Sequence, residues 1–384
     1  MAEPAPLIVF ADDWGRHPSS CQHLVKHIVG HRRVVWVNTI GTRPPRLNWA
    51  TVTRGLEKIK SWIKASGGRQ PAVSPEILNP KMWPSFRSRF ARGLNRRLLS
   101  RAVRPVVEAM PQPPVVVTTL PLVADLIGTF PAVRWFYYCV DDFGVWPGLD
   151  GRTLRDMEAE LVAKVDSVIA VSETLQAHIA KRGKPSHLLT HGVDLDHFRN
   201  PVSALETGFL ATPGETRFPK QKPGFILFWG VIDRRMDVSF LRRLAERSNV
   251  PIRLVGPQDN PDPELFRLPR VEVRLAVSYE ELPALAAEAG VLVMPYADLP
   301  VTRAMQPLKL KEYLATGKPV VVRKLPATEP WADCCDVCDS PDAFAEAVLL
   351  RLGEGVPAAQ LAARERLKAE SWTAKAAMFE DWLR

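Results

Sequence analysis

The chain has 384 residues, of which 46% are hydrophobic and 24% charged, a balance typical of a soluble globular protein with two or three domains. No apolar run reaches the ~18 residues of a membrane span, and no basic segment precedes the first strand, so we predict neither a transmembrane helix nor a signal peptide. The net charge of +9 is concentrated in residues 43–104, where fifteen Lys and Arg face only Glu57 and Glu76, so the remainder of the chain has a net charge of −4.

The first predicted strand is Leu7–Phe10, a short apolar run. Its carboxyl end opens into a loop that contains Asp13, Trp14 and Arg16, and a predicted helix follows. Open α/β sheets bind ligands at the carboxyl ends of their strands. We therefore predict that these three residues form a loop beside a binding site, and the family resemblance described below implies that this loop lies on the acceptor side.

Two spacings suggest metal ligands, but neither is complete. His23, His27 and His31 recur every fourth residue without the glutamate of an H-E-x-x-H motif. Cys335 and Cys338 form a C-x-x-C pair, but no second Cys or His pair follows at zinc-finger spacing. We therefore expect no metal site, and we interpret the cysteines as reduced thiols of a cytosolic protein.

The basic region contains two segments with an amphipathic helical pattern. Phe86, Phe90, Leu94 and Leu98 recur at every fourth position among arginines, and residues 56–63 carry a similar stripe among lysines. Basic helices with aromatic side chains are typical of proteins that bind an anionic membrane surface, where each cation contributes about 1 kcal/mol. Alternatively, the apolar stripe packs into the core and the arginines are solvated. We expect no nucleic-acid partner, because no nucleic-acid-binding motif accompanies the charge.

Two adjacent aspartates follow a strongly apolar predicted strand. Residues 134–140 read RWFYYCV, and Asp141 and Asp142 come directly after them. Carboxylates just past the end of a parallel strand are placed for chemistry. Adjacent like charges also tend to raise the pKa of one partner, which suits a general base. The alternative is a plain turn, since Asp and Gly are turn formers. We predict Asp142, or alternatively Asp141, as a catalytic residue.

A second series of strands follows a predicted linker at residues 200–223, which is rich in Pro, Gly, Ser and Thr. Apolar strands then alternate with helices from 225–230 (FILFWG) to 319–322 (PVVV). Two such series separated by a hinge predict an α/β protein with two Rossmann-like, doubly wound domains facing a cleft.

Several residues near the ends of these later strands are candidates for phosphate binding. Gly230 ends its strand at a point where backbone can approach a phosphate, and Tyr296 follows the strand before the next motif. Arg234, Arg235 and Arg303 could add positive charge there.

The most informative stretch is residues 307–320, which read PLKLKEYLATGKPV. Pro307 suits the first turn of a helix, and Gly317 is a stop signal. Lys309 and Glu312 share one helix face, beside a helix N-terminus that favours anions. A nucleoside diphosphate needs such a cation for phosphate and such a carboxylate for ribose.

This stretch resembles the signature of nucleotide-sugar glycosyltransferases of the GT-B fold, in the neighbourhood of glycosyltransferase family 4. The runs YYCVDD, DSVIAVSETL and HGVDLDHF match, in order, the acceptor-side half of such enzymes. The resemblance implies that Lys309 holds diphosphate and that Glu312 holds ribose. It also implies that no cofactor or metal is needed beside the nucleoside diphosphate sugar donor.

Two positions depart from the usual pattern of the family. Ala304 stands where retaining members have a glutamate, and His191 stands where asparagine is usual. The sequence TRAMQPLKLKE is closer to a subgroup of exopolysaccharide and teichuronic-acid type enzymes, similar to membrane-associated glucuronosyltransferases. Inverting members use an aspartate of the first domain as base, which implies Asp142 or Asp141 here and favours inversion.

The resemblance implies an enzyme that transfers a sugar, hexosyl or uronosyl, to a hydroxyl of a lipid-linked or saccharide acceptor. The basic region at residues 43–104, with a net charge of +13, would then lie against the inner face of the membrane. The alternatives are a nucleotide-sugar epimerase and a noncatalytic nucleotide-sugar-binding protein. We predict an N-terminal domain at 1–199, a linker at 200–223, a nucleotide-sugar-binding domain at 224–356, and a C-terminal helix at 357–384 that crosses back to the first domain.

Overall fold

The computed structural model describes residues 4–15, 19–41, 74–199 and 224–384. Three predictions fall outside the described residues: Arg16 of the acceptor-side loop, the amphipathic stripe at 56–63, and the linker at 200–223.

The first sheet has seven parallel strands, with the earliest strand near its middle. In chain order the strands are β1 (Leu7–Ala11), β2 (Val34–Asn38), β3 (Glu76–Leu78), β4 (Val115–Thr118), β5 (Arg134–Cys139), β6 (Ser167–Ala170) and β7 (Ser186–Leu188). The order across the sheet is β3-β2-β1-β4-β5-β6-β7. Leu7 of β1 pairs with Val34 on one side and Val115 on the other. Strands covered on both faces must be apolar throughout, which is why they were recognisable as short hydrophobic runs.

The second sheet repeats this arrangement with six parallel strands. They are β8 (Ile226–Trp229), β10 (Ile252–Val255), β12 (Val271–Arg274), β13 (Val291–Met294), β14 (Val320–Arg323) and β15 (Asp336–Cys338). Their order is β12-β10-β8-β13-β14-β15. Two short strands, β9 (Ile232–Asp233) and β11 (Gln258–Asp259), pair separately. The predicted fold class, α/β with two Rossmann-like domains, is confirmed.

α-Helices form several of the connections between the parallel strands of both sheets, as parallel crossovers usually require. The described connections from β4 to β5, β10 to β12 and β14 to β15 contain only a short 3-10 helix. The described helices are α1 (Ser20–Ile28), α2 (Arg89–Glu108), α3 (Gly151–Lys164), α4 (Glu173–Ala180), α5 (Leu195–Arg199), α6 (Val238–Arg247), α7 (Leu282–Glu288), α8 (Pro300–Ala304), α9 (Leu308–Ala315), α10 (Pro341–Glu354), α11 (Ala358–Ala363) and α12 (Trp372–Trp382). Most of the longer helices begin at a Ser or Asp N-cap, whose side chain accepts a hydrogen bond from the first turn.

The chain divides into two compact units, residues 1–190 with 375–384 and residues 191–374. The chain therefore passes from the first unit into the second between residues 190 and 191, whereas the first domain was predicted to end at residue 199. The reason is that Val193 pairs with Ser371 in a parallel bridge, and the residues that follow pack into the second core.

The last ten residues of the chain belong to the first unit. Phe379 of α12 packs against Tyr138 of β5 with ring centroids 5.6 Å apart, and Trp382 stacks on His187 at 4.6 Å. This segment therefore completes the first hydrophobic core.

Helix α2 buries a different face from the one that the sequence pattern suggested. Its buried side chains lie one residue after the predicted stripe and are Ala91, Asn95, Leu99, Val103 and Val107. Phe86 precedes the helix and is buried, whereas Phe90 is 79% exposed. Core packing therefore accounts for Phe86 but not for Phe90, because the buried stripe of the helix begins at Ala91 and leaves Phe90 on the solvent side.

The sequence predicted no membrane-spanning helix, no metal site and no disulfide framework. Among the described residues, no helix combines the length and the hydropathy needed to cross a membrane. In the same part of the chain, no group of three or more His, Cys, Asp or Glu side chains is arranged to hold a metal ion. All five cysteines are buried and form no disulfide.

Candidate nucleotide-sugar site

The carboxyl edge of the second sheet brings two glycines into close contact. Gly230 follows β8 with φ +135° and Gly256 follows β10 with φ +156°, and these are backbone conformations that glycine favours. A Cβ atom at Gly256 would lie 2.0 Å from the carbonyl oxygen of Gly230. The two glycines therefore let the ends of β8 and β10 approach each other more closely than a side chain would allow.

Helix α9 lies beside this edge. It has one apolar face and one charged face, as the sequence predicted. Pro307 is the residue before the first turn, and Gly317 with φ +73° follows the last. Leu310 and Leu314 are buried in the second core. The opposite face, which carries Lys309 and Glu312, is only half-buried, so both charged groups are accessible to a ligand.

The structure brings three of the predicted residues together. The Lys309 ammonium donates a hydrogen bond to the Tyr296 hydroxyl. It also lies directly over Gly230, where an added Cβ would be 2.0 Å from Nζ and 2.7 Å from Cε. A side chain at this position would displace the lysine, so Gly230 allows the ammonium to lie at the sheet edge.

Glu312 lies at the same edge and is held by an aromatic side chain that the sequence analysis treated as core. The Trp229 indole N–H donates to the Glu312 carboxylate at 3.3 Å, and the Tyr313 hydroxyl accepts from the Trp229 backbone N–H at 3.0 Å. Burial raises the pKa of the Glu312 carboxyl to about 7, although the Trp229 hydrogen bond and the Lys309 charge both act to lower it.

The raised pKa of Glu312 makes stability depend on pH. The carboxyl has a pKa of 4.5 in the unfolded chain and about 7 in the folded protein. Between these two pH values the folded protein binds more protons, so its stability falls as pH rises from 4.5 through 7. We expect Glu312→Gln to stabilise the protein by about 2 kcal/mol at pH 8, allowing for the partial exposure of the side chain, and by almost nothing at pH 4. Urea unfolding of both proteins at the two pH values measures this difference. The control is Glu280→Gln, at an exposed glutamate of the same unit; a stabilisation by Glu312→Gln that is independent of pH would contradict the assignment.

The predicted arginines are engaged by surface carboxylates. Arg234 donates to Asp262 at 3.1 Å, and Arg303 donates to Asp298 at 2.6 Å. Both arginine side chains are about half exposed. The hydrogen bonds to Arg303 lower the pKa of the Asp298 carboxyl. Neither arginine is positioned by the contacts that define the Lys309 site.

Arg235, the third arginine considered, is buried instead. Its guanidinium forms an ion pair with Asp233 at 2.8 Å and lies 5.6 Å from the ring centroid of Tyr296. The pair holds the segment after β9 against Tyr296, so Arg235 contributes to the frame of the site.

In the first unit, the two aspartates lie where β5 ends. Hydrogen bonds and close packing stabilise the turn that contains them. The Asp142 carboxylate accepts a hydrogen bond from the Gly144 backbone N–H at 3.0 Å. The Gly144 carbonyl accepts from the Arg155 guanidinium at 2.6 Å, and a Cβ at Gly151 would lie 2.2 Å from that carbonyl oxygen. Asp141 and Asp142 are both half-buried. The turn interpretation is therefore correct for the backbone, and it leaves one carboxylate oxygen of Asp142 outside the turn hydrogen bond.

The described part of the acceptor-side loop packs on the end of β2. The Trp14 backbone N–H donates to the Asn38 side chain at 2.9 Å, and the Trp14 ring meets Trp36 edge-on at 4.8 Å. The Asp13 carbonyl accepts from Gln22 of α1 at 3.4 Å. Asp13 and Trp14 thus lie at the carboxyl edge of the first sheet, as the sequence predicted.

Sequence reasoning missed a second lysine on α9. Lys311 is 2% exposed, pairs with Glu370 and donates to the carbonyl of His191. Its buried position has no local signal, because Glu370 lies 59 residues further along the chain. Trp229 and Phe228 were also missed, since both read as ordinary residues of an apolar strand.

The two Rossmann-like domains match the GT-B fold of solved glycosyltransferase structures. Residues 227–353 match the family model described as "Glycosyl transferases group 1". The chain is 28% identical over 187 residues to TuaH of Bacillus subtilis (strain 168), whose name assigns it to teichuronic acid biosynthesis as a glycosyltransferase. That match covers 46% of this chain and 45% of TuaH, so the matched segment spans less than half the length of the relative.

Solved structures resemble the chain over nearly its whole length. Sucrose-phosphate synthase from Thermosynechococcus elongatus has a TM-score of 0.69 at 16% identity, with 99% of this chain and 98% of that chain covered. The Anabaena protein HepE, in complex with UDP and glucose, has a TM-score of 0.65 at 12% identity, with 99% of both chains covered. At such identities the likeness establishes the fold. Together with the family match, it confirms the resemblance to GT-B glycosyltransferases that the sequence predicts.

Proposed function

We propose that the protein is a glycosyltransferase that transfers a sugar from a nucleoside diphosphate sugar to a hydroxyl acceptor. The observation that carries the proposal is the Lys309 ammonium, which lies over Gly230 at the sheet edge, one helical turn from Glu312. No described carboxylate lies within ion-pair distance of this ammonium. A half-buried cation of this kind is a site for an anion, and the family match of this unit supports a diphosphate.

The proposed mechanism uses electrostatics in place of a metal ion. Lys309 and the N-terminus of α9 stabilise the negative charge that develops on the leaving diphosphate. Glu312 accepts hydrogen bonds from the ribose hydroxyls. Asp142, or alternatively Asp141, takes the proton of the acceptor hydroxyl as that oxygen attacks the anomeric carbon, so the configuration inverts.

The donor is proposed to be a UDP-sugar, hexosyl or uronosyl. Support comes from HepE, whose structures contain UDP with glucose and UDP-glucose. A thermal-shift panel of UDP, GDP, ADP, CDP and dTDP tests the pocket and identifies the base in one experiment. The matching UDP-sugars are then incubated with acceptor, and separately alone, so that an epimer formed without acceptor would identify an isomerase instead. If none of the nucleotides raises the melting temperature, the proposal is wrong.

The acceptor is proposed to be a lipid-linked or polysaccharide precursor, with the protein peripheral on the inner membrane face. Support comes from the solvent side of α2, where Phe90 is 79% exposed and Arg97 and Arg101 project at the same helical angle. Trp83, just before the helix, is 51% exposed. Neither arginine pairs with a carboxylate in the described part of the chain. Exposed aromatic side chains among unpaired cations suit an anionic lipid surface.

Charge reversal on this surface tests the membrane proposal. We expect Arg97→Glu with Arg101→Glu to weaken binding to vesicles with anionic lipid at least tenfold, because each cation contributes about 1 kcal/mol. The control carries the same charge change elsewhere on the first unit, Lys26→Glu with Lys181→Glu, both at exposed positions. Co-sedimentation at low and high salt measures binding. Equal effects of the two double variants, or binding to neutral vesicles alone, would contradict the proposal.

A further inference from the structure

The Lys309 ammonium is enclosed on three sides by groups that carry no charge. The Tyr296 hydroxyl accepts its hydrogen bond, and the Phe228 ring centroid lies 4.4 Å from Nζ. The Tyr296 ring centroid lies 4.9 Å away, and the backbone of Gly230 closes the third side. We call these three residues the aromatic box: Phe228, Gly230 and Tyr296.

The box holds the cation without neutralising it. Aromatic faces attract an ammonium through their quadrupole, and a hydroxyl accepts one of its three N–H bonds. The contrast is Lys311, two residues further along the same helix, whose charge is compensated by Glu370 in a buried pair. The two lysines therefore differ in their partners: Lys311 is paired with a carboxylate, whereas Lys309 has no carboxylate partner among the described residues and keeps two N–H donors that Tyr296 does not use.

The box is built on the sheet rather than on loops. Phe228 belongs to β8 and Tyr296 lies two residues after β13, and these strands are neighbours in the sheet. The two rings meet edge to face, 5.9 Å apart at 85°. Both rings are almost fully buried. A cation held by such a frame is preorganised, since few groups must move when an anion binds.

We infer that Phe228 and Tyr296 are positioning residues that aim the Lys309 ammonium at the donor's diphosphate, and this inference rests on the proposed function. Neither side chain needs to contact the nucleotide. Their effect is specific to the phosphate part of the donor, because they act only through the lysine.

A double-mutant cycle tests this inference, with the binding affinity of each variant measured for two ligands. Isothermal titration with UDP and with uridine is applied to the wild type, Tyr296→Phe, Lys309→Ala and the double variant. Tyr296→Phe keeps the ring and removes only the hydroxyl, and we expect it to weaken UDP about tenfold while uridine changes less than twofold. In the Lys309→Ala background, the same substitution should have no further effect on UDP.

A second variant and a matched control guard against a general loss of packing. Phe228→Leu removes the ring at similar volume and is expected to weaken UDP about fivefold, again only when Lys309 is present. Tyr138→Phe removes a hydroxyl that is equally buried in the first unit, and it should leave the ratio of UDP to uridine affinity unchanged.

The possible outcomes separate this inference from the proposed function. If Tyr296→Phe weakens UDP equally with and without Lys309, the tyrosine acts directly on the nucleotide and the inference is wrong. Unchanged UDP binding in both Tyr296→Phe and Phe228→Leu also overturns the inference, while the proposed function survives. A wild-type protein that binds UDP no more tightly than uridine would overturn both.

Discussion

Replacing Lys309 by alanine is expected to lower kcat/KM by about 10²–10³-fold, the usual loss when one preorganised group that stabilises transition-state charge is removed. The lysine lies over Gly230 and against Tyr296, and no carboxylate of the described chain neutralises it. Its charge is therefore available to the leaving diphosphate. Initial rates at low concentrations of the UDP-sugar measure the loss. Near-normal turnover would refute the assignment.

The fold should survive this change, because the Lys309 side chain is only half-buried and its removal leaves no buried charge unpaired. Lys318→Ala is the matched control, since that lysine follows the same helix and donates to the Ala287 backbone carbonyl. A second variant displaces the Lys309 ammonium without changing the lysine itself. Gly230→Ala would place a Cβ 2.0 Å from Nζ and should reproduce the loss of activity with Lys309 intact.

Replacing Asp142 by asparagine is expected to reduce transfer by about 10²–10⁴-fold, the range that a positioned general base contributes. The substitution is a mild one for the fold. An asparagine side-chain oxygen can accept the Gly144 N–H as the carboxylate does at 3.0 Å, so the turn is retained. Single-turnover rates measure the loss, and titration with UDP should give an unchanged Kd, because the residues of the proposed donor site belong to the other unit.

Asp141→Asn is the matched control for this experiment, one position earlier in the same turn. If Asp141→Asn abolishes transfer and Asp142→Asn does not, the two roles are exchanged. If both variants retain wild-type rates, the base lies elsewhere, and the mechanism proposed for the first unit is wrong.

The sequence by itself determined the fold class and the main candidates of the second unit. Parallel strands buried on both faces must be apolar from end to end, so runs such as 7–10 and 319–322 were visible without any structure. The bounds of α9 were also predictable from the sequence, because Pro307 and Gly317 limit the helix through their own backbone angles. Lys309 and Glu312 were recognisable because helical periodicity places them on one face.

Only the tertiary structure decided which charges are available and which are compensated. Lys309 and Lys311 look alike in the sequence, but Glu370 neutralises one of them from 59 residues away. Arg234 and Arg303 look unpaired in the sequence, but in the folded chain Asp262 and Asp298 accept hydrogen bonds from them.

Helix α2 shows the same limit for hydrophobic patterns. The four-residue period around Phe90 was correct, but the stripe one residue further along is the one that is buried, and Phe90 is exposed to solvent. The physical reason is common to all these cases. Periodicity and caps depend on neighbours along the chain, whereas ion pairing and the choice of buried face depend on partners that only folding brings into contact.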